Sequence, residues 1–244
     1  MELWGITDRG KKRKDNQDIF KILKDDENGV AVIVVCDGCG GMRGGNVASS
    51  IAAEVFVNHI SAFLLTSNDA TKIAEKMCEA VSNANKAVYE KSTQFSEYMG
   101  MGTTLTALVS TSDGEIIANV GDSRAYHITD SSISQITKDH TVVEDMVARG
   151  DLTRDEARCH SRKNLITRVV GTRDNKLPDI FFLSLMQDEY VLLCSDGLTD
   201  VVSDEEILSN FQQKHSVKKF CEELVDMALS RGAPDNITAV LFKK

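Results

Sequence analysis

Three short apolar runs open the chain, "LWGIT", "DIFKILK" and "GVAVIVVCD", and each predicts a β-strand. Asn28-Gly29, between the second and third, is a two-residue turn signal. The period then changes. Ala48, Ile51, Ala52, Val55, Phe56 and Phe63 recur at helical spacing, and so do Ile73, Met77, Ala80, Val81, Ala84, Ala87 and Val88. Each set makes one apolar stripe, which predicts two helices covering a sheet face.

Strand patterns return as hairpins. "TTLTALVST" and "EIIANVGD" flank Asp113-Gly114, and "RAYHIT" and "SISQIT" flank Asp130 to Ser132. Links this short force antiparallel neighbours. The polar stretch "KDHTVVEDMVARGDLTRDEARCHSRKN" predicts short helices, with Thr153 and Glu156 at capping-box spacing. Two strands around "IFFLSL" and "YVLLCSD" precede two helices, where Ser203 and Glu206 give a second capping box. "NITAVLF" is the last strand. Clustered strands with paired helices predict an α+β fold: a central antiparallel β-sandwich of two sheets, flanked on each side by a pair of helices.

Composition narrows the picture. The 244 residues include only two prolines, and no Gly/Ser-rich linker interrupts them, so residues 1–244 read as one domain. Lysine and arginine total 28 against 37 acids, a net charge of -9. That balance lacks the basic footprint of a general nucleic-acid binder but suits divalent cations. The first residues carry no apolar core of a signal peptide, and no run approaches the roughly 18 apolar residues of a membrane span. The six cysteines lie mostly inside apolar segments, and a cytoplasmic location with reduced thiols is expected.

The acids are placed unusually. Asp37, Asp122 and Asp196 each end an apolar run, Asp235 immediately precedes one, and Asp18 begins one. A single Asp-Gly is an ordinary turn. Five acids at strand ends, each beside Gly, Ser or Asn, predict instead a meeting at one rim of the sandwich. Carboxylates crowded there would repel one another, and divalent cations with oxygen ligands, magnesium or manganese, would relieve it. Glycine after Asp37 and Asp196 lets bare backbone approach an ion.

"RKDNQD", "VVCDGCGG", "GNVASS", "GTTLTAL", "NVGDSRAY", "CSDGLTD" and "DNITAVL" stand in the order found in the PP2C (PPM) protein serine/threonine phosphatases. The resemblance covers almost the whole chain. "KDHTVVEDMVARGDLTRDEA…NLITRVVGT" is similar to the flap and following strand of bacterial members, giving a flap at about 138–164.

The resemblance implies a centre of two or three divalent ions, Mn2+ or Mg2+. Asp37 would bridge two ions and the Gly38 carbonyl would bind one of them. Asp196 and Asp235 would complete the other, and Asp122 with Asp196 would hold a third. Asp18 would fix metal-bound water by hydrogen bonds. The implied reaction is hydrolysis of phosphoserine or phosphothreonine in proteins, by a water bridging two ions about 3.5–4 Å apart. Arg13, five residues before Asp18, matches the phosphate-binding arginine, and its planar fork suits that task. Outside the motif it would read as a solvated charge. The implied partners are phosphorylated proteins, with a Ser/Thr protein kinase opposed by the enzyme acting as a monomer.

Several positions depart from the family pattern. Cys39 and Met42 replace a methionine and a histidine common in bacterial relatives, and no histidine follows "DG" to serve as general acid. His140 and His160 are alternative acids near the flap. Gln17 replaces a frequent glutamate.

Cys36-Asp37-Gly38-Cys39 has redox or zinc spacing, but no partner pair exists for a zinc site. Core packing explains Cys36 and Cys194; a sharper expectation is that Cys36, Cys39 and Cys194 cluster beneath the metals and confer oxidant sensitivity. Three further classes stay open: a phosphopeptide-binding module without turnover, a thiol oxidoreductase, and a sandwich with structural calcium.

Overall fold

The computed structural model describes residues 1–39 and 44–244. Two antiparallel sheets face each other. The first runs in the order β1 (Glu2–Asp8), β11 (Ile237–Lys243), β10 (Tyr190–Cys194), β7 (Arg124–Ile128), β8 (Ile133–Gln135). The second runs β2 (Asp18–Asp25), β3 (Val30–Cys39), β5 (Leu105–Thr111), β6 (Gly114–Val120), β9 (Asp179–Leu183), and β4 (Gly102–Thr103) pairs with the end of β3.

The period-two geometry of β3 builds both layers of core at once. Ala31, Ile33 and Val35 point between the sheets, where they join Val191, Leu193, Val240 and Phe242. Val32, Val34 and Cys36 point the other way, against α1 (Gly45–Leu64) and α2 (Ala70–Gln94). β3 is therefore apolar on both faces because both faces are covered. The opposite outer face is covered by α6 (Asp204–Phe211) and α7 (Val217–Ser230), with Leu192, Cys194, Ala239 and Leu241 beneath them. Both expected capping boxes are present, at Thr153/Glu156 and Ser203/Glu206.

Local details differ from the sequence expectation. Asn28-Gly29 closes a four-residue loop, since the last β2–β3 pair is Asp25 with Val30. The Asp25 carboxylate accepts from the Glu27 and Asn28 amides and shapes that loop from within. "TTLTALVST" breaks at Thr104 into β4 and β5. A third helix follows β10: the single turn α5 (Asp196–Thr199). Helix α1 is long and apolar enough to cross a membrane by length and composition, with mean hydropathy 1.4. Its Ala48, Ala52, Ala53, Phe56 and Ile60 are instead buried against the sheet and α2. The 138–164 segment carries α3 (Val142–Arg149) and α4 (Arg154–Cys159), and a Thr141–Ile166 bridge closes its base.

Candidate metal centre

The β2–β3 ladder places Asp18 directly opposite Asp37. Asp37 sits where β3 changes partner: its last regular pair with β5 is Val35–Thr106, and Gly38 pairs with Thr103 of β4. Threonines bridge the gap. The Asp37 amide donates to Thr104 Oγ1 at 2.9 Å, while its carbonyl accepts from the Thr104 amide and from Thr103 Oγ1, each at 2.8 Å. Asp37 is thus not the end of a strand but its switch point, held by three hydrogen bonds. A Cβ on Gly38 would run into the Gly45 carbonyl oxygen at the start of α1, so only glycine fits there.

The other sheet delivers two more acids. Asp196 opens α5 two residues past β10, and Asp235 stands two residues before β11. Gly197 brings those segments together, because any Cβ there would strike the Asn236 carbonyl oxygen. Asn236 also gathers the 9–17 loop: it accepts from the Gln17 amide at 2.9 Å and donates to the carbonyls of Arg9 and Asp15. The backbone carbonyl of Gln17 accepts from the Gly38 amide and from Ser49 Oγ, so this junction does not depend on which side chain stands at position 17.

Asp18 is held across the sandwich. Ser195 Oγ and Thr238 Oγ1 both donate to its Oδ2 at 2.7 Å, and Ser195 Oγ accepts in turn from the Thr238 amide. Burial still outweighs these bonds and, with Asp235 adding repulsion, raises the Asp18 pKa to about 6.

Asp122 lies in the turn between β6 and β7. The preceding Gly121 amide donates to His140 Nδ1 at 3.1 Å, and the His140 amide donates back to the Gly121 carbonyl. With Nδ1 accepting, Nε2 carries the proton and donates to Asp179 Oδ2 at 3.1 Å. Arg168 holds the other Asp179 oxygen at 2.8 Å. Burial, helped by Arg168, keeps this imidazole below its ordinary pKa despite Asp179. His140 is therefore a neutral, fully bonded support for the Asp122 turn, which removes it as a candidate acid.

The five acids feel one another. Burial first, then Asp18, Asp196, Asp122 and Asp235, pushes Asp37 well above the carboxylate range. Asp196 rises likewise through burial, Asp122, Asp200, Asp235 and Asp18. Asp122 reaches about 7 through burial and the nearby Asp139. Three buried carboxylate oxygens, Asp18 Oδ1, Asp122 Oδ1 and Asp196 Oδ1, accept no hydrogen bond among the described residues. Buried carboxylate oxygens without donors are costly unless a proton or a cation satisfies them. Among the described residues no three such side chains close tightly enough to hold one ion unaided. The donor set is all oxygen and ringed by acids, which fits hard cations that keep part of their water.

Arg13, expected to bind phosphate, has its Nη2 2.6 Å from Asp235 Oδ2. One expectation is corrected. The cysteines do not cluster, since Cys36 faces α1 and α2 while Cys194 lies under the helices of the opposite sheet. Burial pushes Cys36 above the usual thiol range, and Cys39 and Cys194 up to about 12, so these thiols hold their protons. Met42 lies outside the described residues. The sequence reading missed Asp200, which follows Asp196 by one helical turn, and the Ser195–Thr238 pair. The "CSDGLTD" string contained both Ser195 and Asp200.

Residues 8–241 match the sequence model of the family described as Protein phosphatase 2C. Protein phosphatase PhpP of Streptococcus pneumoniae is 35% identical over 242 residues, covering 99% of this chain and 96% of that protein. The structure of the S. agalactiae serine/threonine phosphatase, 32% identical, has a TM-score of 0.90 over 100% of this chain and 99% of its own. The catalytic domain of the serine threonine protein phosphatase PstP, solved in complex with two manganese ions, is 31% identical with a TM-score of 0.83, over 98% of this chain and 96% of its own. With a family match over nearly its full length and an acidic centre at the strand switch, the chain belongs to the protein phosphatase 2C family.

Proposed function

We propose that the protein hydrolyses phosphoserine and phosphothreonine in proteins, using divalent metal ions held by the aspartate rim. The observation that carries this reading is the convergence of Asp18, Asp37, Asp122, Asp196 and Asp235, with three buried oxygens that accept nothing from the described residues. Asp37 and the Gly38 carbonyl, with Asp196 and Asp235, are assigned to two ions, Mn2+ or Mg2+, and Asp122 with Asp196 to a third. When bound, the ions lower the pKa of a ligated water and clamp the phosphoryl group.

The chain's own groups do the rest. Ser195 and Thr238 fix one oxygen of Asp18, leaving Oδ1 to orient a water by accepting its proton. Arg13 is exposed, and only one of its nitrogens is engaged by Asp235, so the remaining N–H groups are available to phosphoryl oxygens. The Thr103–Thr104 bonds hold Asp37 in place, which limits reorganisation during the reaction. Substrate access is assigned to the 138–164 flap, tied to the rim by Lys163 and Asn164 on Asp200.

Residues 1–244 are read as one catalytic domain acting as a monomer in the cytoplasm against a Ser/Thr protein kinase. Six free cysteines support a reducing compartment, and the buried apolar face of α1 argues against a membrane role for that helix. The test is phosphate release from a phosphothreonine peptide with manganese. Release that chelator abolishes and that Asp37→Ala lacks is expected; chelator-independent release would overturn the metal reading.

A further inference from the structure

Beside the metal centre lies a cavity of about 950 Å3 that the chemistry above does not use. Cys39, which lines it, stands two residues after Asp37 on β3. Met101 and Val169 make its apolar surface, and Met99 stands on the rim at 75% exposure. Two polar residues also line it, Tyr89 and Arg173, and neither side chain bonds to another described residue.

The pocket is pre-formed. Asn85, buried in the middle of α2, accepts from the Gly171 and Thr172 amides at 2.7 and 3.0 Å and donates to the Thr172 carbonyl. That clamp fixes the wall carrying Arg173. The Thr103–Val170 bridge ties that wall to the 100–103 segment. Size and composition match ligand sites, which run about 300–1,000 Å3 and combine apolar walls with a few placed polar groups.

Resting on the phosphatase reading, we propose that this pocket receives the segment of a phosphoprotein that flanks the phosphorylated residue. An apolar side chain packs on Met99, Met101 and Val169, and an acidic side chain pairs with Arg173. The acidic preference follows from the unpaired guanidinium in a chain of net charge -9, where a local cation is the recognisable feature. The apolar preference follows from Met99, whose exposed, unbranched side chain adapts to varied partners, beside Val169 and the buried Met101.

The test compares kcat/KM for phosphothreonine peptides whose flanks are leucine and glutamate, leucine and lysine, or glycine alone, on the manganese-loaded protein. The parent is expected to favour the leucine–glutamate peptide. Arg173→Glu should invert the glutamate-to-lysine preference, each peptide changing about three- to tenfold. Met99→Asp should erase the advantage of leucine over glycine. Both positions are exposed, so the variants fold without disturbing the core. Equal rates for all three peptides in the parent, or unchanged ratios in both variants, would overturn the assignment. p-Nitrophenyl phosphate, which has no flanking segment, separates the two levels of the claim. If the parent hydrolyses it but does not discriminate among peptides, only the pocket falls; if the parent fails to hydrolyse it, the phosphatase reading falls and the pocket with it.

Discussion

Arg13 reaches across 222 positions of sequence to Asp235, Nη2 to Oδ2 at 2.6 Å. The pair joins the expected phosphate-binding cation to an expected metal ligand. Its partners are 53% and 29% exposed, so it adds little to stability. The phosphate-binding role proposed for Arg13 puts its consequence in catalysis instead.

Arg13→Ala should raise KM for p-nitrophenyl phosphate about tenfold and lower kcat less, because it removes binding shared by ground and transition states. Arg13→Lys should recover only part of the loss, since an ammonium lacks the planar fork. Steady-state kinetics at saturating manganese measures both. A loss confined to kcat would contradict the role.

Asp37 is predicted to trade stability for activity. Asp37→Asn should abolish turnover yet raise the melting temperature of chelator-treated protein, because it removes one member of a mutually repelling set. The shift should be about 2–4 °C for each kcal/mol of relieved repulsion in a chain of this size. Asp122→Ala should reduce turnover while leaving manganese binding at the other acids measurable by calorimetry.

The raised carboxyls set the sign of the pH dependence. Asp18 and Asp122 titrate at about 6 and about 7 when folded, and near 4 when unfolded. Between those values the folded chain binds more protons than the unfolded one, so stability falls as pH rises. Metal-free protein should therefore melt lower at pH 7.5 than at pH 5.5. Saturating manganese should reverse that slope, since the metal displaces these protons and so binds the folded state more tightly as pH rises, adding about 2.7 kcal/mol at a hundred times Kd. Melting curves with chelator and with metal decide it; a rising slope in chelator would refute the repulsion.

His140 offers a dissection by substitution. His140→Ala strands the buried Gly121 amide, at a cost of about 1–3 kcal/mol. His140→Asn places an acceptor where Nδ1 stood and should restore the Asp122 turn. The manganese concentration giving half-maximal activity should rise in the alanine variant and return toward the parent value in asparagine. Equal behaviour of the two would leave His140 as packing only.

Much of this was legible along the chain, for reasons specific to each element. The α2 stripe and the apolar run of β3 declare themselves because their periods are local. The five aspartates were legible through short strings in a fixed order. Pairing was not: nothing near Arg13 announces Asp235, and the fold alone brings them together. The break at Thr104 was hidden because threonine hydroxyls replace ladder hydrogen bonds that propensity assumes. Cys36 and Cys194 share an offset from two acids, but that offset does not say which face of each sheet a side chain takes. The cavity beside Cys39 left no local trace either, since its walls come from segments around residues 39, 89, 100 and 170.

β11 lies between β1 and β10, so the first strand of the chain finds its neighbour only in the last. Asp235 and the Thr238 hydroxyl that steadies Asp18 arrive with that same segment. The opening strand and the 235–243 segment therefore fold as one unit: until β11 docks, β1 has no partner in its sheet and Asp18 lacks the Thr238 hydroxyl.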